Sequence, residues 1–153
     1  MDIEDKWRAS FAEAQKHFKT ADHMAYVSFS ILNENRLMIK IVGELAVASS
    51  NLIKAFLYYE SGFTRVKLYK DPQRNLKTFM EKIAPNYFDN DVLGGLIRVL
   101  EITKKHQDAA VEFVRKDKFV ILMGDKYETL TIQNVRELLT FVRVAIGKFP
   151  GDV

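Results

Sequence analysis

A chain of 153 residues with 48% apolar and 28% charged side chains, 7 Gly and 3 Pro has the length of one domain and a globular composition, which excludes collagen-like, low-complexity and largely disordered chains. With no cysteine it has no disulfide framework, no thiol nucleophile and no cysteine-based zinc site. Its 23 basic and 20 acidic residues leave a net +3, too small a surplus to argue for nucleic acid by itself.

The first predicted helix spans about residues 4 to 32. Trp7, Phe11, Ala14, Phe18, Ala21, Ala25, Ser28 and Leu32 recur every three or four positions, the spacing of one helical face. Met24 and Ile31 widen that stripe, and Asn33 with Asn35 marks a tight connection. The acidic start, Met1 to Asp5, lacks the layout of a signal peptide.

A second helix is expected over about 35 to 61. Met38, Ile41, Leu45, Ala48, Leu52, Ala55 and Tyr59 form one stripe, and Ile39, Val42, Ala46, Ser49, Ile53 and Phe56 a second beside it. Apolar residues over most of the circumference imply burial from two sides. Lys40, Glu44, Asn51 and Lys54 interrupt the run, which argues against a membrane span. The short connection makes the first two helices an antiparallel hairpin. Gly43, Ala46 and Ser50 offer a surface for close backbone approach, and Gly62 a left-handed helix end.

Residues 63–71 read as a polar, basic connection. Asp71 as cap and Pro72 at the first helical position start a short helix. Leu76, Phe79, Met80 and Ile83 are its expected core residues and Pro85 its end. One of Asp89, Asn90 or Asp91 caps the next long helix, expected over about 91 to 117, with Val111, Phe113 and Val114 on its core lines. Phe119–Met123, Gly124-Asp125 and Lys126–Leu130 form a hairpin with a turn of type II′. Thr131 caps a final helix running to Phe149. The expected fold is mainly α, a single domain over 1–153: an antiparallel bundle of four or five helices with one short β-hairpin before the last helix.

Signatures of chemistry are sparse. Gly94-Gly95 lies in a helical pattern without the Lys-Ser/Thr of a phosphate loop, and no Glu precedes a His by three positions, as a di-metal carboxylate bundle requires. No metal or cofactor is therefore expected. Glu13 and His17 share a helix face as an exposed pair. Across the hairpin, His23 is placed to approach Glu44, and His17 to approach Ser50 and Asn51. His106 falls on the line Val92, Leu96, Val99, Thr103 and so faces inward or toward a partner. A packed histidine bonded to a backbone carbonyl or to Thr103 is the structural alternative to a functional one.

The layout of two long antiparallel helices, with Ala48-Ser49-Ser50-Asn51-Leu52-Ile53-Lys54-Ala55 in the second and further helices after it, resembles HEPN-like bundles over roughly residues 10–118. Those are small prokaryotic all-α domains, usually dimeric, many of them RNA-cutting members of toxin–antitoxin or defence systems. Active members carry an Arg, four to six residues, then a His. The nearest pair here, Arg98 and His106, is separated by seven residues, and Lys105 directly precedes the His. The resemblance implies RNA association, with Arg98 and His106 as the candidate catalytic residues.

Residues 63–82 hold six basic and two acidic side chains, the densest positive charge in the chain. Arg65, Lys67, Lys70, Arg74 and Lys77 interleave with Phe63 and Tyr69 near Tyr58 and Tyr59, the combination of cations and rings that single-stranded nucleic acid needs. A solvated connection with its rings turned inward is the alternative. The second helix carries more apolar surface than three neighbours cover, and the hairpin has open edges. Both features favour a homodimer. The function expected is a non-enzymatic, cytoplasmic protein acting through self-association or a protein partner, with an RNA-associated HEPN-like protein as the alternative.

Overall fold

The computed structural model describes residues 1–152. It is mainly helical, with five helices and a small three-stranded antiparallel sheet before the last of them. Helix α1 covers 3–32, α2 Leu37–Gly62, α3 72–87, α4 Asn90–Asp108 and α5 Ile132–Gly147; strands β1 (Val111–Arg115), β2 (Lys118–Met123) and β3 (Lys126–Leu130) lie between α4 and α5.

Helix α1 contains a π turn at Met24–Ser28, where Phe29 N–H reaches back to the Met24 carbonyl. The extra residue per turn shifts the helical phase by one position. The buried seam therefore runs Trp7, Phe11, Ala14, Ala21, Ala25 and then Phe29, not Ser28 and Leu32 as even spacing predicts. Ile31 and Leu32 stand 75% and 64% exposed. Asn33 closes the helix at φ 49°, and the chain turns back into α2.

Helix α2 is the centre of the molecule. By length and composition it is apolar enough to cross a membrane, and 61% of its most apolar window is buried within the bundle. Of the two predicted stripes every residue but the half-buried Tyr59 is buried, and Val47, outside both, is 40% exposed. Close approach occurs at Ala48, Ser49 and Ala55, which are fully buried. A Cβ at Gly43 would meet nothing within 4 Å, so Gly43, Ala46 and Ser50 line an open groove instead of a helix contact. Gly62 is the last helical residue and packs near Ile3; Thr64, at φ 57°, takes the left-handed position expected of it.

Asp71 caps α3 by accepting from Gln73 N–H. Pro85 does not end the helix. A second π turn, Phe79–Ile83, has Ala84 N–H bonded to the Phe79 carbonyl and carries the chain past the proline to Tyr87. Met80 lies on the outer side of the widened turn, 36% exposed.

The largest departure is at α4. Asp89 caps it as one of the three candidates, but it ends at Asp108, and Val111–Arg115 is a strand. The sheet is thus a three-strand meander, β1-β2-β3, and not a hairpin. Val111, Phe113 and Val114 satisfy the helical spacing of α4, while Val111 and Phe113 also fit a two-residue alternation. Their β-branched and aromatic side chains favour the second pattern once a partner strand is adjacent. The β1–β2 turn hides from sequence because Lys116, not glycine, takes the left-handed position at φ 57°. Asn35 Nδ2 donates to the Lys116 carbonyl at 2.7 Å and ties that turn to the α1–α2 connection. At the β2–β3 turn Gly124 adopts φ 64° as expected.

Phe119, Ile121 and Leu130 seat the sheet's inner face on the bundle, all buried. Thr131 and Asn134 form the reciprocal cap of α5. The chain ends meet at a ring cluster: Phe149 lies 5.5 Å from Trp7 and 4.5 Å from Phe11.

Candidate functional site

The strand register sets Glu112 beside Ile121 and Ile121 beside Glu128, a single row across the sheet. Cross-strand neighbours share a face, so both carboxylates point with Ile121 toward α4. There they meet the two residues singled out as catalytic candidates. Arg98 pairs with Glu128, which also accepts from Lys105 Nζ at 3.2 Å. His106 Nδ1 lies 2.5 Å from Glu112 Oε2. Arg98 and His106 are thus on one side of one helix but serve different carboxylates at opposite edges of the sheet. The partner of His106 is Glu112 on β1, neither Thr103 nor a backbone carbonyl.

This seam joins the sheet to α4 beside the apolar contacts of Phe119, Ile121 and Leu130. Glu128 has a side-chain exposure of 12% and two cations, so its charge is compensated on both sides. It was invisible as a site in sequence, because a lone Glu in a short strand carries no spacing signal. Glu112 was hidden by the assignment of its segment to a helix.

The other histidines separate in the same way. His17 Nδ1 lies 2.6 Å from Glu44 Oε2, and its Nε2 lies 3.4 Å from Glu13. The hairpin therefore pairs Glu44 with His17 rather than His23, which is exposed. Among the described residues no three His, Asp or Glu side chains converge as a metal-binding group.

The basic segment divides into two parts. Arg65 turns back to the end of α2, where its guanidinium donates to Glu60 at 2.8 Å. Glu60 is only 4% exposed, and its other oxygen accepts from Tyr87 Oη at 2.6 Å. Lys67 and Arg74 instead flank the Tyr69 ring, at 5.7 and 3.8 Å from its centroid. Lys77 lies 4.0 Å from Glu81 in a weak surface pair. Lys70 is exposed. Tyr59 faces inward toward Trp7, whereas Phe63 remains 55% exposed.

Desolvation first, then the hydrogen bond to Glu60, pushes the Tyr87 phenol up to about 12 from its ordinary 10.0. The folded state thus holds this proton more tightly than the unfolded chain. Its stabilising contribution is complete below pH 10, where both states are protonated, and declines as pH rises through about 12. Two pKa units correspond to about 2.7 kcal/mol at most, and partial exposure reduces this to roughly 1–2 kcal/mol. Ultraviolet titration of tyrosinate should show a step at about pH 12, and Tyr87→Phe should remove it.

The third feature is a surface. Alternation places Val111, Phe113, Val120, Leu122 and Tyr127 together on the sheet's outward face. Val111 is 52% and Tyr127 69% exposed, Phe113 and Leu122 between them are half-buried, and the central Val120 is buried. Arg115, Lys116 and Lys118 stand at the β1–β2 end of this face, around a shallow depression of about 550 Å³. An antiparallel sheet with one face on a core ordinarily presents polar side chains on the other; here that outer face is largely apolar.

Comparison with family models, with curated proteins and with solved structures finds no match for this chain.

Proposed function

We propose that this is a non-enzymatic helical-bundle protein that acts by self-association, with the outward face of the sheet as the contact surface. The observation that carries this reading is the apolar outer face of the meander, in a molecule whose candidate catalytic groups are already engaged. Arg98 and His106 face carboxylates of the same chain, which favours a structural use of both. An exposed apolar patch with a charged rim is a common form of protein contact site. A two-fold arrangement would set β2 of one copy across β2 of the other and cover Tyr127 and Val111 in both.

Sedimentation equilibrium over a wide concentration range tests this. The expected result is a dimer that Tyr127→Asp weakens at least tenfold, while its melting temperature as a monomer changes little, because Tyr127 is 69% exposed. A wild-type monomer at high micromolar concentration would refute self-association.

A second reading, an RNA-associated HEPN-like protein, is favoured by cations beside rings in two places: Arg115, Lys116 and Lys118 near Phe113, and Lys67 and Arg74 around Tyr69. It requires affinity for a single-stranded RNA oligonucleotide that falls with salt at a slope of roughly −0.7 per phosphate neutralised. Cleavage that survives His106→Ala would exclude His106 as its catalyst. Absence of binding at about 50 mM salt would exclude the reading.

A further inference from the structure

The second half of α2, the 63–71 connection and the start of α3 enclose a cleft of about 430 Å³, within the range of small-ligand sites. Ile53 and Leu57 from α2, Leu76 from α3 and Leu100 from α4 form its apolar floor. The outer wall is Leu68 and Tyr69. Asn75 holds that wall by bonding both backbone groups of Tyr69, accepting from its N–H at 2.8 Å and donating to its carbonyl at 2.7 Å. A connection pinned in this way presents a preformed cavity rather than one that needs ordering on binding.

The polar groups lie along one rim. Ser50, Lys54 and Tyr58 succeed one another at four-residue intervals on α2, beside the deeper Ile53–Leu57 row. Lys54 forms no ion pair among the described residues, and it is the only charged side chain lining the cleft. The adjoining groove, which shares Ser50, Lys54 and Leu100, adds Lys104 and a single acid, Asp108. Hydroxyls and an unpaired ammonium above an apolar floor suit one kind of ligand: an extended hydrocarbon ending in an anion.

We propose that this cleft binds a free medium-chain carboxylic acid, with the tail on Ile53, Leu57, Leu76 and Leu100 and the carboxylate at Lys54. Ile53 and Leu57 are only 6% exposed at the floor, a depth that suits a single chain and favours a free acid over the surface of a bilayer. The site is separate from the outward sheet face and does not depend on self-association.

Calorimetry with decanoate, kept below its micelle-forming concentration, provides the test. The expected result is saturation at one molecule per chain, with decanol at least tenfold weaker and decyltrimethylammonium giving no heat. Lys54→Gln, at an exposed position that leaves the fold intact, should weaken decanoate about tenfold through loss of a charge-assisted contact. Leu76→Trp, which fills the floor, should abolish binding; amide shifts on decanoate addition should cluster at 50–58 and 68–76 in the unsubstituted protein. Equal binding of the cationic amphiphile, an unchanged affinity in Lys54→Gln, or binding only to anionic vesicles would each overturn the assignment.

Discussion

Replacing Gly95 by alanine should destabilise the protein by about 2–4 kcal/mol, whereas the same change at its neighbour Gly94 should stabilise it by about 0.5–1 kcal/mol. The two glycines occupy consecutive positions of α4 and differ only in what lies across from them. A Cβ on Gly95 would stand 2.5 Å from Phe141 Cβ and 2.7 Å from its ring. The nearest atom is joined directly to the α5 backbone, so a rotamer change cannot relieve the overlap and α4 and α5 must separate. A Cβ on Gly94 would meet nothing within 4 Å, so only the helix-forming advantage of alanine remains. Urea unfolding of both variants measures the difference, which thermal melting should read as a gap of roughly 6–16 °C for a domain of this size. Equal shifts at the two positions would mean that α4 and α5 do not meet at Gly95.

The double glycine was visible in sequence, but the asymmetry between its members was not. The helical pattern of α4 identifies the segment, while the partner of Gly95 is more than forty residues away in another helix. The same division runs through the fold. Helix starts at Asp71 and Thr131 were legible, and that of α4 to within Asp89, Asn90 and Asp91, because a cap is a contact between residues two or three positions apart. The seam of α1 was legible up to Ala25 and lost beyond it, because one extra residue in a π turn leaves no mark in composition. Strand β1 was lost for a related reason, since Val111 and Phe113 fit both the helical line and a two-residue alternation and only the pairing with β2 selects one. The resemblance to HEPN-like bundles rested on helix order over a stretch that includes this strand.

The site residues follow the same rule. Arg98 and His106 stand out by their spacing along the chain, and each faces a strand whose register local spacing does not carry. Glu128, which receives Arg98 and Lys105 together, had no local signal at all. Glu60 did have one. It lies four residues after Phe56, at the continuation of the buried Ile39, Val42, Ala46, Ser49, Ile53 and Phe56 stripe, so a carboxylate stood where the pattern demanded an apolar side chain. A charged residue on such a line requires a partner, and Arg65 five residues later is the nearest candidate.

Glu60→Ala should cost about 2–4 kcal/mol, among the largest effects of any single polar substitution in this chain. The carboxylate joins three segments through side-chain hydrogen bonds to Arg65 and Tyr87. Its own helix, α2, ends two residues later; Arg65 begins the basic connection; Tyr87 closes α3 after its π turn. Alanine removes the acceptor at 2.6 Å from the Tyr87 hydroxyl and leaves a void where a 4%-exposed side chain stood. Glu60→Gln retains an acceptor for Tyr87 but presents an amide to Arg65, and should cost less than half as much. Arg65→Ala leaves the carboxylate buried with Tyr87 alone and should fall between the two glutamate variants. Hydrogen exchange should localise the consequence. Amides of residues 65–70, which include the Leu68 and Tyr69 wall of the ligand cleft, should exchange faster in Glu60→Ala, while those at the centre of α2 should slow or quicken only with global stability. If the decanoate site exists, its affinity should fall in Glu60→Ala although no atom of Glu60 lines it, because the wall is then held by Asn75 alone. Unchanged exchange over 65–70 in a destabilised Glu60→Ala would show that the carboxylate supports the core and does not anchor the connection.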